Sequence, residues 1–544
     1  MHTTPRLVLL ASLGLAFSAA VRAADAGAPV PQPTPPRVTL NLPNGANPIP
    51  PGPFAPTWDS MRASYQVPEW FLDGKFGIFL HWGLYSVAAR QSEWYPRHMY
   101  NTKEVIEWHR NTFGPQDKFG YKDFIPLFTC EKFNPDEWAE LFRKAGAKYV
   151  VPTAEHHDGF ALYDSALTKW DAKDMGPHRD LIGDLATAVR KQGLKFGVSS
   201  HRMENWSFMY PAPGLATDLF DPAYADFYGP PQPPPSGADG QSDLMNGRAT
   251  PQSPAFLEEW LMRCQELIDK YQPDMLYFDN GVNSRAHDPI KLRLAAYYYN
   301  RAAQWGKQVS LATKGVNAPA GPAYLAGSII DFERGHPSDI RPGSWQTDTT
   351  VHHRWGHLDI TLYRNAGQLV RELIDNVSKG GNLLLNFSPT PEGTIPREEQ
   401  ALLLEMGEWL QLNGEAIYGT RTWTKYGEGP TQLNNPGNLP EADRIHREAV
   451  GDVWLPAYTP KDFRFTKKND TLYAIAMKWP IGEATITSLA THAASLPSGK
   501  IQKVELLGAG ELAFTQDAAG LHVKLPTKKP CDHAFVLKIT GLKL

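Results

Sequence analysis

Asp279 closes the apolar run Met275-Leu276-Tyr277-Phe278. A carboxylate fixed at the end of a buried strand can attack a carbon, bind a metal or cap a helix. Comparable groups follow other apolar runs. His81-Trp82-Gly83 follows one, Glu155-His156-His157-Asp158-Gly159 a second and Ser199-Ser200-His201 a third. Glu333-Arg334, Asp348 with nearby His352 and His353, and Asn386 mark three more. At the starts of these runs Lys195 and Asp274 are the main titratable residues. A single histidine at a strand end is well explained by a helix cap or a carbonyl contact. Several histidines and two carboxylates at one set of strand ends point to a reaction site.

Two chemistries use such residues. A metal-dependent hydrolase would use His-His-Asp and the strand-end Asp as ligands. The first run offers His81-Trp82 in place of a His-x-His pair, and adjacent His156 and His157 tend to point apart on extended backbone. No catalytic metal is therefore expected. Glycoside hydrolysis needs two carboxylates, one to attack the anomeric carbon and one to protonate the leaving oxygen. Asp279 suits the first role and Glu333 the second, with Arg334 and Arg341 near enough in sequence to tune the acid or bind sugar. A sugar-binding protein with weak activity is a third reading, which the pair of carboxylates disfavours.

The positioning elements follow from periodicity. Eight apolar strands are expected at Phe76–His81, Tyr149–Thr153, Lys195–Ser200, Asp274–Asp279, Val309–Thr313, Ser328–Glu333, Ser344–Thr349 and Asn382–Asn386. Most are apolar on both faces, as in a parallel sheet covered by helices. Amphipathic helices lie between them. Asn134-Pro135-Asp136-Glu137 reads as a helix start, with Gly146 as its stop. The pattern predicts an α/β fold, a (β/α)8-like TIM barrel over residues 57–424, whose reactive residues gather at the C-terminal strand ends. The barrel is expected to be irregular, because about ten residues separate strands six and seven, too few for a crossover helix. A Pro-rich insertion follows strand three at Gly229–Asp243. Beyond residue 424 the period becomes two, which predicts a C-terminal antiparallel β-sandwich over 425–544.

The N-terminus carries Arg6, the apolar stretch Leu7 to Ala20 and Val21-Arg22-Ala23. This reads as a signal peptide over 1–23, cleaved near Ala23, and implies export to the periplasm or medium. Residues 24–56 read as a Pro-rich tether. A formal net charge of -4 leaves no basic field for nucleic acid, and no later stretch is apolar enough for membrane insertion. Cys130, Cys264 and Cys531 match no metal motif.

The chain resembles the α-L-fucosidases of glycoside hydrolase family 29. The resemblance rests on Lys75-Phe76-Gly77-Ile78-Phe79-Leu80-His81-Trp82-Gly83, Glu93-Trp94-Tyr95, His156-His157-Asp158-Gly159-Phe160 and Phe278-Asp279 after Tyr271-Gln272-Pro273-Asp274. Gly380-Gly381-Asn382-Leu383-Leu384-Leu385-Asn386 and Ile417-Tyr418-Gly419 complete it. It implies a retaining exo-α-L-fucosidase without cofactor, acting on terminal α-L-fucose of oligosaccharides or glycoconjugates. It also implies Asp279 as nucleophile, His81, His156 and His157 as ligands of fucose hydroxyls, and Glu93 and Trp94 as further sugar contacts. Trp82 and Arg341 join the expected substrate-binding set, and His201 stands where aromatic residues are common. The acid/base position varies within the family: Glu333 is the first choice and Glu204 the runner-up. Homo-oligomers are common among related enzymes, and the sequence leaves the oligomeric state open.

Overall fold

The structure is a computed structural model that describes residues 45–229, 231, 252–314, 322–359, 361–433 and 457–544. The expected signal peptide, the tether up to residue 44 and most of the Gly229–Asp243 insertion lie outside the described residues.

Eight parallel strands close into a barrel in sequence order. They are β1 (Phe76–Leu80), β2 (Tyr149–Glu155), β3 (Lys195–Ser200), β4 (Met275–Phe278), β5 (Ser310–Thr313), β6 (Ser328–Asp331), β7 (Trp345–Thr350) and β8 (Asn382–Phe387). β8 pairs with β1 to complete the ring. All eight expected strands are present, with ends shifted by one or two residues. The expected helix start also holds, since Asn134 accepts from the Glu137 amide, and the next helix is capped alike by Asp180, which accepts from the Gly183 amide. As the short spacing demanded, no helix connects β6 to β7 among the described residues.

Strand alternation sorts the barrel's side chains into two sets. Phe79, Tyr149, Val151, Met275, Tyr277, Ala312, Ile329 and Leu384 form one buried cluster with Phe71 and Trp355, separate from the large core under the helices. These are the inward-facing residues. Counting on by twos from them reaches His81, Asp279, Lys314, Asp331 then Glu333, and Asn386. The same two-residue step links Ser199 to His201 and Gln346 to Asp348.

The C-terminal region holds a six-stranded sheet ordered β14-β13-β17-β11-β10-β9 and a three-stranded sheet ordered β12-β16-β15. Its strands are β9 (Arg421–Glu428), β10 (Phe463–Lys468), β11 (Thr471–Ala476), β12 (Glu483–Ile486), β13 (Ser498–Leu506), β14 (Gly510–Glu511), β15 (Phe514–Gln516), β16 (Leu521–Lys524) and β17 (Phe535–Lys543). Trp423, Phe465, Leu472, Ile486, Val504, Val523 and Ile539 pack in its core. The expected boundary at 424 falls within β9. β9 and β10 escaped the sequence reading because Arg, Lys and Thr break their apolar pattern.

Helix Ala366–Ser378 of the barrel makes buried polar contacts to the sheets. Asp375 binds Lys379 at 2.6 Å and Arg464 at 2.6 Å, all three fully buried. Arg371 donates to the Met477 carbonyl at 2.9 Å. From the next helix, Trp409 donates to the Ala534 carbonyl at 2.9 Å.

The expected tether is corrected from residue 46 onward. The Ala46 amide donates to Glu258 at 2.8 Å, the Asn47 amide to Gln265 at 2.7 Å and the Phe54 amide to Asn300 at 2.9 Å. These three acceptors sit on helices Pro254–Tyr271 and Asp288–Trp305, so the proline-rich segment is pinned to the barrel's exterior.

Candidate active site

Asp279 lies just past β4, 8% exposed, and three cationic or polar groups converge on it. Its Oδ1 is 2.9 Å from Lys314 Nζ, and its Oδ2 is 3.0 Å from His201 Nδ1 and 3.5 Å from His157 Nε2. Burial pushes this carboxyl up, but Lys314, His201 and His157 together hold it well below the usual carboxylate range. Asp279 is thus held as the carboxylate.

Lys314 is the residue the sequence reading missed. It follows β5 and is buried, with its ammonium 2.9 Å from Asp279, 3.2 Å from Glu333 and 3.2 Å from Asp348. Its charge also lies over the Trp355 ring at 4.8 Å. Burial disfavours the ammonium, yet the surrounding carboxylates keep it charged, with a pKa well above the ordinary value. Below it, Tyr277 donates to Asp348 at 3.1 Å and Gln346 to Asp331 at 2.8 Å.

Four histidine rings wall the site. His81 and His156 are held neutral chiefly by burial, and His201 is pushed down to about 4 for the same reason. His81 Nδ1 meets Asn386 Oδ1 at 2.7 Å, and Asn386 donates in turn to the Trp355 carbonyl at 2.8 Å. His201 Nε2 meets Ser199 Oγ at 2.6 Å. His156 and His157 stack edge to face at 4.3 Å, and both face His201, at 4.9 and 5.3 Å. Adjacent residues reach one cavity wall because the backbone turns after β2. Gly159 makes that turn at φ +81, where an added Cβ would come within 2.8 Å of Asn205. Beneath the turn, Glu155 binds Arg202 at 2.9 Å and Arg263 at 3.0 Å, tying β2 to the Arg202–Ser207 segment and to helix Pro254–Tyr271.

The two candidate acids differ in place. Glu333 is half-buried and shares Lys314 with Asp279. Glu204 is buried behind His157, whose Nδ1 lies 3.3 Å from it. Burial, with Asp279 nearby, pushes Glu204 up to about 7 against the pull of His157, Lys314 and Arg97. The His157 ring therefore separates Glu204 from Asp279, whereas only an ammonium separates Glu333 from it.

Glu93 and Trp94 also reach this wall. Glu93 accepts from the Trp355 and Gly356 amides at 3.2 and 3.3 Å, which fixes the Trp355 loop. Trp94 is half-buried and sets its edge against His157 at 5.6 Å. Two expected substrate contacts are corrected. Trp82, one residue out of phase with His81, faces the helices and packs on Phe128, Phe133 and Trp138 at 5.2, 5.1 and 5.0 Å. Arg341 precedes β7, so it sits at the opposite rim, where its amide donates to Lys379 and its guanidinium lies over Phe332. Arg334 occupies the reactive end instead, with its guanidinium 5.1 Å from the Trp355 ring.

Two sets of groups could hold a metal ion. His81, His156 and His201 form one, and His157, His201 and Asp279 the other, each with ligand atoms within 4.8 Å of one another.

Residues 44–415 match the family model described as alpha-L-fucosidase. The chain belongs to the α-L-fucosidase family. Residues 451–540 match the model of the alpha-L-fucosidase C-terminal domain. This fucosidase is 31% identical to tissue alpha-L-fucosidase of Mus musculus over 509 residues, covering 90% of this chain and 94% of that protein. Plasma alpha-L-fucosidase of Homo sapiens is 31% identical over 504 residues, covering 90% and 93%. Among solved structures, Thermotoga maritima alpha-fucosidase in complex with fucose superposes with a TM-score of 0.67 at 30% identity. That match covers 90% of this fucosidase and 100% of the other chain. As a member of the family it is a glycoside hydrolase, and the barrel followed by antiparallel sheets is a fold it shares with these relatives.

Proposed function

We propose that the chain is a retaining exo-α-L-fucosidase that releases terminal α-L-fucose from glycans through a covalent intermediate on Asp279. One observation carries the reading. Asp279 and Glu333 bind the same Lys314 ammonium at 2.9 and 3.2 Å. Their oxygens therefore stand no more than about 6 Å apart, a span that includes the ~5–5.5 Å of retaining carboxylate pairs. Asp279 attacks the anomeric carbon as Glu333 gives its proton to the departing oxygen. Glu333 then takes a proton from water, which displaces Asp279 and returns the carboxylate. With His81 Nδ1 on Asn386 and both His201 nitrogens on Ser199 and Asp279, His81 Nε2 and His156 Nδ1 are left to meet sugar hydroxyls.

Asp279→Gly is expected to lower kcat on 4-nitrophenyl fucoside by at least ~10³-fold. Azide should restore turnover and yield a glycosyl azide. Undiminished hydrolysis by this variant refutes the assignment.

A second assignment of the acid rests on the pKa of about 7 at Glu204. Leaving groups separate the two. Glu333→Gln should cost ~10²–10⁴-fold on a fucosyl disaccharide and far less on an activated aryl fucoside. If Glu204→Gln gives that pattern instead, the roles are exchanged. Treatment with EDTA is expected to leave both rates unchanged; a loss restored by zinc would favour a metal-dependent hydrolase. The Arg6 to Ala23 pattern supports export, which N-terminal sequencing of the secreted protein checks.

A further inference from the structure

Arg97 has entered so far only through its pull on Glu204. It is 4% exposed, on helix Tyr95–Asn101 just beyond Trp94. Its guanidinium carbon stands 5.3 Å from the Trp94 ring, 5.8 Å from Phe208 and 4.9 Å from Tyr210. Nη2 donates to the Tyr210 hydroxyl at 3.0 Å. Nη1 is buried and has no hydrogen-bond partner. Among the described residues, no carboxylate forms an ion pair with it.

A buried guanidinium without a carboxylate is expensive. Three ring faces offset part of the cost. They supply no acceptor for the Nη1 hydrogens. An unmet donor in a buried place is destabilising, more so when it is charged. The position of the group says what the cost serves. Trp94 and Phe208 each touch His157, at 5.6 and 4.9 Å, so Arg97 stands one ring away from the fucosyl pocket. Trp94, His98 and Tyr210 around it are half-exposed, which places it on the solvent side of that pocket. His98 cannot supply a competing cation. Burial, with Arg97 and Arg354 beside it, pushes it down to about 3.

We propose that Arg97, held by Trp94 and Tyr210, forms a subsite for an oxyanion, a carboxylate or a sulfate ester, on the glycan adjoining the fucose to be cleaved. A planar guanidinium fits either anion through paired N–H donors. The Tyr210 hydroxyl fixes its orientation, and the aromatic faces keep water from competing. The inference rests on the fucosidase reading and narrows its substrates to acidic fucosylated glycans.

The test uses three fucosyl disaccharides that differ only at C6 of the second sugar: hydroxymethyl, carboxylate or sulfate ester. The wild-type enzyme should favour at least one anionic substrate by ~10-fold or more in kcat/KM. Added sulfate salt should shrink that preference, since a free oxyanion competes for the same guanidinium. In Arg97→Gln the anionic-to-neutral ratio should fall to about one, and Arg97→Lys should keep part of it. Whichever anion gains the preference identifies the source. Equal rates on all three substrates in the wild type, or a penalty for the anions, would overturn the proposal. So would a preference that survives in Arg97→Gln. Should Arg97→Gln fail to fold, the wild-type ratios, their salt dependence and Arg97→Lys still decide. Failure to cleave even the neutral disaccharide and an aryl fucoside would instead refute the fucosidase reading, and this proposal with it.

Discussion

Lys314 touches three carboxylates and one tryptophan face, so its charge is the pivot of the site. Removing it leaves Asp279 with two imidazoles, His201 pushed down by burial and His157 raised because Glu204 and Asp279 outweigh its burial. In Lys314→Met the Asp279 carboxyl should therefore rise toward the working range. The acid limb of kcat/KM moves to higher pH, and activity near pH 5 falls by ~10²-fold. An unshifted acid limb in the pH profile would remove Lys314 from this role. Lys314 was hidden in the sequence because Thr313-Lys314 has no partner nearby in the chain to suggest a site. Counting by twos from inward-facing Ala312 would have found it. The same count would have excluded Trp82, which is out of phase with Phe79. Arg341 was misplaced for a different reason: it precedes the strand predicted at Ser344–Thr349, and strand starts lie at the wrong end. Asp279, His81, His156 and His157 were legible because each directly follows a run that is apolar on both faces.

At the scale of elements, the strands were readable because burial on both faces leaves so few polar residues inside them. The polar ties between elements were not, since they join positions far apart in the chain. Glu372 on helix Ala366–Ser378 is one such tie, bound by Arg364 and, at 3.1 Å, by His336 from the segment after β6. Burial raises this carboxyl, but Arg364 and His336 bring it from the usual 4.5 down to about 2. A depressed carboxylate stabilises the fold above its unfolded pKa. Its contribution, about 3 kcal/mol by proton linkage, is full above about pH 4.5 and is lost as pH falls through about 2. Urea unfolding should therefore show a steeper loss of stability between pH 5 and about pH 2 in the wild type than in Glu372→Gln. Parallel curves for the two proteins would contradict this.

For the molecule as a whole, the barrel and the C-terminal sheets meet through the buried triad Asp375, Lys379 and Arg464. Asp375→Ala would leave two buried cations without their anion, at a cost of about 3–5 kcal/mol. The expected outcome is a lower melting temperature and separate transitions for the two parts, read by calorimetry. A single transition at the wild-type temperature would show that the triad does not couple them. The Arg371 and Arg464 ties explain why the region beyond residue 420 is more than an appended module: its residues complete contacts that the barrel's last helices need.

The two-residue phase inside the barrel has a wider consequence. The groups at the ends of β1, β4, β5, β6 and β8 are addressed by parity along their own strands, so each of these strand ends is a socket whose facing is set by its own strand. Exchanging one socket's side chain leaves the frame of the others untouched, and inserting or deleting two residues in a strand preserves which way its group faces. A single-residue insertion turns that group toward the helices and brings an apolar neighbour into the pocket. The frame is therefore tolerant of substitution at the rim, whereas catalysis is intolerant of odd-length changes within the strands beneath it.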